Sequence, residues 1–151
     1  MTQNGVRAEA RVAQSLVHLP LLWGIFHTVE WRCLHEDRRG EAIGEADVVV
    51  FHPHHGLIVF EIKAGAVKVQ DGKWFYASGL AMKQSPFAQA RRNRYALIDK
   101  LRQRLGRDAA DALTVTHAVW FPDVLWKGSL PGIEAPSRAF LLDRAALADP
   151  A

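Results

Sequence analysis

The sequence predicts an α/β fold, a mixed sheet of four or five strands flanked by helices, and three observations carry that prediction. Two dense runs of β-branched and aromatic residues, Ala46 to Phe51 and Leu57 to Ile62, stand either side of His52-Pro53-His54-His55-Gly56. Runs of that kind bounded by turn residues read as a β-hairpin. An amphipathic helical pattern precedes the pair, a longer one follows it, and another apolar run lies beyond. At 151 residues the chain has the length of one domain with a single substantial core.

In order, the first element is a helix from Val6 to His18, closed by Pro20. Val6, Ala10, Ala13, Leu16 and Val17 mark its apolar stripe, and Glu9 falls inside it. A carboxylate in that position is costly unless something pairs with it. A strand from Phe26 to Leu34 follows, then a charged loop from His35 to Glu41. Both faces of each hairpin strand are apolar, the pattern of central strands covered on both sides. Val67 to Gln70 turns at Asp71-Gly72 into Lys73 to Tyr76, a strong hairpin signal. Ser85 before Pro86 marks a helix start. That helix runs to Leu105 and stops at Gly106, with Phe87, Ala90, Leu97, Ile98, Leu101 and Leu105 as its buried stripe. Strands at Thr114 to Phe121 and Ala139 to Leu142 complete the sheet. Asp143 reads as the N-cap of a helix the chain barely begins, so the sequence is expected to be the N-terminal part of a longer protein.

Composition excludes several classes. Apolar residues are 49% and charged residues 23%, ordinary for a globular protein. The single cysteine, Cys33, rules out an internal disulfide and fits a reducing cytoplasm. Glu9 and Arg11 fall where the apolar region of a signal peptide would lie, and Leu19 to Phe26 is too short to span a bilayer, so no membrane association is expected. Net charge is only +3, but Lys83 to Arg107 holds eight basic residues against one acid. That strip carries +7 and leaves −4 for the rest of the chain. It suits a polyanion such as nucleic acid, and serves equally as a solvated helix face.

The chemistry gathers at the open end of the first hairpin. With the turn at residues 53 to 56, paired residue numbers sum to about 109, which puts Asp47 across from residues 61 to 63. Glu61 and Lys63 are two apart and share a face, while Ile58, Phe60 and Ile62 take the other. Three charged groups on two otherwise apolar strands are not explained by stability. Two carboxylates can hold Mg²⁺ or Mn²⁺, with the Ile62 carbonyl as an extra ligand. The ion would polarise a phosphodiester and acidify a bound water, and Lys63 would orient that water or face the developing charge. The alternative is a cross-strand Asp47–Lys63 salt bridge with Glu61 incidental.

These residues resemble the nuclease-related domain family, which is grouped with the PD-(D/E)xK nucleases. The matching segments are Glu9 in its N-terminal helix, Gly44-Glu45-Ala46-Asp47-Val48-Val49, Glu61-Ile62-Lys63, and Ser85-Pro86-Phe87-Ala88-Gln89-Ala90 with Asn93. The resemblance spans roughly residues 5 to 121, and Ala46 stands in place of the superfamily's proline. It implies a restriction-endonuclease-like core, with Asp47, Glu61 and Lys63 as the catalytic set. It also implies Glu9 as a further acid at the metal and Gln89 as a helix-borne polar contact to metal or phosphate. Members of the family resemble accessory modules beside helicase domains, which implies a linked or associated helicase.

Gln89 and Asn93 are four apart in the first turns of a helix whose N-terminus favours anions. Arg91, Arg92, Arg94 and Asn93 are therefore candidates to touch a nucleic-acid backbone, DNA first and RNA second. Trp74 and Tyr76 are candidates to stack on bases. His52, His54 and His55 lack the further ligands a zinc site needs and lie at the far end of the strands from Asp47. The leading expectation is a metal-dependent nuclease acting in DNA processing. Its rivals are a non-catalytic nucleic-acid-binding module of a helicase-type protein and a protein–protein interaction domain.

Overall fold

The computed structural model describes residues 3–34, 41–127, 129 and 137–148, with the side chains of 31–34 and 41–44 excepted. The chain-order elements are α1 (Gln3–Leu16), β1 (Gly24–Leu34), β2 (Glu41–His52), β3 (Gly56–Ile62), β4 (Val67–Gln70), β5 (Lys73–Tyr76), α2 (Pro86–Leu105), α3 (Arg107–Asp111), β6 (Val115–Trp120) and β7 (Leu141–Leu142). Short 3₁₀ turns at Arg138–Phe140 and Arg144–Leu147 flank β7.

Five strands form one sheet in the order β1-β2-β3-β6-β7, and β4 and β5 make a separate hairpin. β1, β2 and β3 are antiparallel neighbours, whereas β3–β6 and β6–β7 are parallel. The sheet is therefore mixed, as the alternation of strands and helices predicts. A parallel step from β3 to β6 needs a long crossover, which the β4–β5 hairpin, α2 and α3 supply.

Both faces of the central strands are covered. Ala8, Val12 and Leu16 of α1 pack on Val48, Val50, Phe60, Ile62, Ala118 and Trp120. On the other face Phe87 and Ala90 of α2 meet Trp74, Val119 and Phe121, and Val49 and Val59 lie under Ala96 and Leu97. The predicted stripe on the first helix is corrected. Ala8, Val12 and Leu16, four apart, are its buried line, while Val6 and Val17 face solvent. Glu9 is buried beside that line, as expected. The second stripe is shorter than predicted, since Leu105 is exposed and Asn93 is buried. The expected helix over Arg144 is a 3₁₀ turn capped by the Asp143 carboxylate. The loop predicted from His35 onward falls almost wholly outside the described residues.

One glycine locks the hairpin to the neighbouring strand. Gly56 has φ +87°, and a Cβ there would lie 2.0 Å from the Thr114 carbonyl. That carbonyl accepts the Leu57 N–H at 2.8 Å, which fixes the start of the β3–β6 pairing. Only glycine allows the approach.

Candidate active site

The β2–β3 ladder pairs residues whose numbers sum to 108, from His52↔Gly56 to Val48↔Phe60. Beyond that pair the backbone ladder ends and Asp47 continues it with its side chain. Its Oδ2 accepts the Ile62 N–H at 2.6 Å.

The neighbouring strand is irregular at the same level. β1 pairs with β2 on both sides of Thr28, through His27↔Val48 and Val29↔Ala46, but Thr28 and Asp47 do not pair. Thr28 has φ +52°, a strained conformation for a β-branched residue. Side-chain alternation slips here too: Val48 belongs to the core under α1, yet Ala46 and Val49 belong to the core under α2. Asp47 sits at this slip, so its carboxylate acts on groups from both faces of the sheet. It raises the carboxyl of Glu9, carried by α1, and that of Glu61, on the α2 side.

Glu61 is 1% exposed. Burial, and then the Asp47 charge, push its carboxyl up to about 7, against the opposing pull of Lys63. Lys63 Nζ donates to Glu61 Oε1 at 2.6 Å and to Gln89 Oε1 at 3.2 Å. Asn93 Nδ2 donates to Glu61 Oε2 at 3.4 Å. A buried carboxylate is tolerable only with such partners. Lys63 thus pairs with Glu61, and the cross-strand Asp47–Lys63 bridge does not form among the described residues. Burial, then Asp47, also raise Glu9, whose Oε2 lies 3.6 Å from His27 Nε2. Thr28 Oγ1 in turn lies 3.0 Å from His27 Nδ1.

α2 reaches this cluster from a fixed start. Ser85 Oγ accepts the N–H groups of Phe87 and Ala88, and Pro86 opens the helix. Such a cap contributes about 1 kcal/mol. Gln89 and Asn93, one turn apart, then lie side by side over Lys63 and Glu61. The loop after Lys63 is pinned from below: Gly65 N–H donates to Asp123 Oδ2 at 2.6 Å, and Arg11 pairs with the same carboxylate. Burial alone would raise Asp123, but these two partners hold it below its usual value.

Glu9, Asp47, Glu61, Ile62, Lys63 and Gln89 all line one cavity of about 610 Å³. The structure therefore brings every predicted catalytic residue to one place. The predicted nucleic-acid contacts divide. Asn93 is 4% exposed and turned onto Glu61, away from solvent. Arg92 lines an adjoining cavity, while Arg91 and Arg94 act on His117 elsewhere under the helix. Trp74 is buried in an aromatic cluster with Phe87, Phe121 and Trp126. Sequence reading missed His27 and Glu45, both of which act on Glu9. Their roles depend on the slip at Thr28, which no sequence pattern marks.

The donor set suits a hard divalent cation. Its candidate ligands are the carboxylates of Glu9, Asp47 and Glu61, each raised chiefly by burial and further by a neighbouring acid, a crowding of charge that a cation would relieve. Among the described residues no three His, Cys, Asp or Glu side chains close into a ready-made metal cluster. Mg²⁺ does not require one, since one or two carboxylates with retained waters and substrate phosphates suffice for it. Asp47 Oδ1 accepts no hydrogen bond among the described residues, whereas Oδ2 is occupied by the Ile62 N–H.

The family model of the nuclease-related domain covers residues 4–122, well over half of the chain. No curated protein and no solved structure matches. No helix among the described residues is long and apolar enough to cross a membrane.

Proposed function

We propose that this chain, which belongs to the nuclease-related domain family, is a metal-dependent nuclease that hydrolyses phosphodiester bonds of DNA. The observation that carries the reading is the pair of carboxylates, Asp47 and Glu61, held on adjoining strands with the Lys63 ammonium 2.6 Å from the second. A core has no structural need for that trio, and the raised Glu61 carboxyl shows that folding bears a cost to hold it there.

Mg²⁺ or Mn²⁺ held by Asp47 and Glu61 would neutralise the phosphate and lower the pKa of a bound water. Asp47 offers Oδ1 while Oδ2 stays fixed on the Ile62 N–H, so its position is set before any ligand arrives. The Ile62 carbonyl would be a further oxygen ligand, and Glu9 would support the charge from the α1 side. Lys63, steered by Gln89, orients the attacking water and faces the charge that develops on the phosphate. Asn93 touches no substrate; it holds Glu61 in place from behind.

Incubating labelled single-stranded, duplex and nicked DNA with Mg²⁺ or Mn²⁺ tests this, with Lys63→Ala alongside. Cleavage by the wild type alone supports the reading. A second reading is a non-catalytic nucleic-acid-binding module of a helicase-type protein. It is favoured by one observation: both Glu61 oxygens already have protein partners. Salt-sensitive DNA binding with neither metal affinity nor cleavage would be its signature.

A further inference from the structure

The cavity that holds the acids continues into a second one. A space of about 740 Å³ adjoins it, and the two share Lys63, Tyr76, Leu80 and Gln89 as common walls. The halves differ sharply in charge. Glu9, Glu45, Asp47 and Glu61 line the first, whereas the second has Lys63, Lys83 and Arg92 and no acid in its lining. Gln84 Oε1 accepts from Arg92 at 3.3 Å and steers the guanidinium. Lys83 has no acidic partner among the described residues.

Two of the four shared residues offer apolar surface open to water. Tyr76, at the end of β5, is 38% exposed, and Leu80 is 68% exposed. The two are held together by the Tyr76 N–H donating to the Leu80 carbonyl at 2.9 Å. An exposed ring beside a cationic pocket is the arrangement that stacks a base while its phosphate is neutralised. A base reaches such a ring only when it is not stacked and paired in a duplex. The cavity sizes agree, since each lies within the roughly 300–1,000 Å³ that encloses one small molecule. The amides at the start of α2 do not compete for the anion, because Ser85 already binds those of Phe87 and Ala88.

We infer that this basic half is a subsite for single-stranded nucleic acid, with the backbone phosphate on Lys83 and Arg92 and the base on Tyr76 and Leu80. The strand then runs from the basic half across Lys63 into the acidic half. Its register rests on the nuclease reading, which puts the reacting phosphate at Lys63, but binding requires no cleavage.

Fluorescence anisotropy with a labelled oligothymidylate of about ten nucleotides, in EDTA so that nothing is cut, tests it. Tyr76→Ala is expected to weaken binding about tenfold while leaving a duplex of the same length unaffected, and Tyr76→Phe restores it. Lys83→Ala with Arg92→Ala weakens binding and reduces the slope of log K against log salt by about 1.4. Arg91→Ala with Arg94→Ala changes neither. Wild-type failure to bind, unchanged affinity in the Tyr76 and Lys83/Arg92 variants, or equal losses on single strand and duplex for Tyr76→Ala overturns the inference. Binding that responds as expected in a chain that never cleaves leaves the subsite standing and removes the nuclease. Cleavage with unresponsive binding does the reverse.

Discussion

The Asp47 carboxylate takes the Ile62 N–H at 2.6 Å at the point where the β2–β3 backbone ladder stops, so a side chain closes the sheet where a carbonyl otherwise would. The bond fixes the carboxylate through Oδ2 and leaves Oδ1 without a hydrogen bond among the described residues. Asp47→Asn is informative because its amide oxygen can keep that bond. The variant is expected to fold with Tm at or above that of the wild type, since the charge that raises Glu9 and Glu61 is gone. Metal-dependent cleavage is expected to fall at least about 100-fold. Thermal melting and a cleavage assay on the same sample check both halves.

The Glu61 carboxyl gives a pH signature of unusual sign. Its folded value of about 7 lies above the ordinary 4.5. Between those values the folded chain keeps a proton that the unfolded chain has lost, so stability falls as pH rises through that window. The full effect is roughly 3 kcal/mol at most. In metal-free buffer, denaturant midpoints are expected to drop from pH 5 to pH 8, and Glu61→Gln is expected to flatten the trend. Because a cation competes with the same proton, Mn²⁺ affinity should climb up to about pH 7 and level off above it.

Asn93 separates positioning from contact. Replacing it with leucine leaves Glu61 Oε2 buried without its donor, a change worth about 1–3 kcal/mol. Chemical denaturation should show that loss. Binding of nucleic acid in EDTA should be unaltered, because the side chain is turned onto Glu61.

Most of this site was legible because its signals are local. Glu61 and Lys63 share a face by the two-residue period, and Asp47 meets them by hairpin arithmetic that came within one residue of the observed register. Ser85-Pro86 placed the start of α2, hence Gln89 and Asn93. What escaped depends on long-range packing. Asn93 looked like a surface contact because polarity alone does not show that the helix rolls it onto a buried acid. The three arginines could not be sorted until α2 was seen against β6, which takes Arg91 and Arg94 toward His117. The kink at Thr28 has no local code, since threonine is a poor choice for positive φ.

That kink is itself testable. Glycine adopts φ +52° without steric cost, so Thr28→Gly is expected to stabilise the fold by about 1 kcal/mol, even after the extra chain entropy glycine brings. A lower denaturation midpoint would instead show that the Thr28 hydroxyl beside His27 outweighs the strain.

In the proposed mechanism Lys63 acts on the reaction while Asp47 and Glu61 hold the ion, and one paired measurement separates these roles. Mn²⁺ affinity by calorimetry and cleavage of a labelled oligonucleotide are taken together on wild type and Lys63→Ala. The variant is expected to keep its Mn²⁺ binding and to lose cleavage by at least about 100-fold. Undiminished Mn²⁺-dependent cleavage in Lys63→Ala would contradict that mechanism.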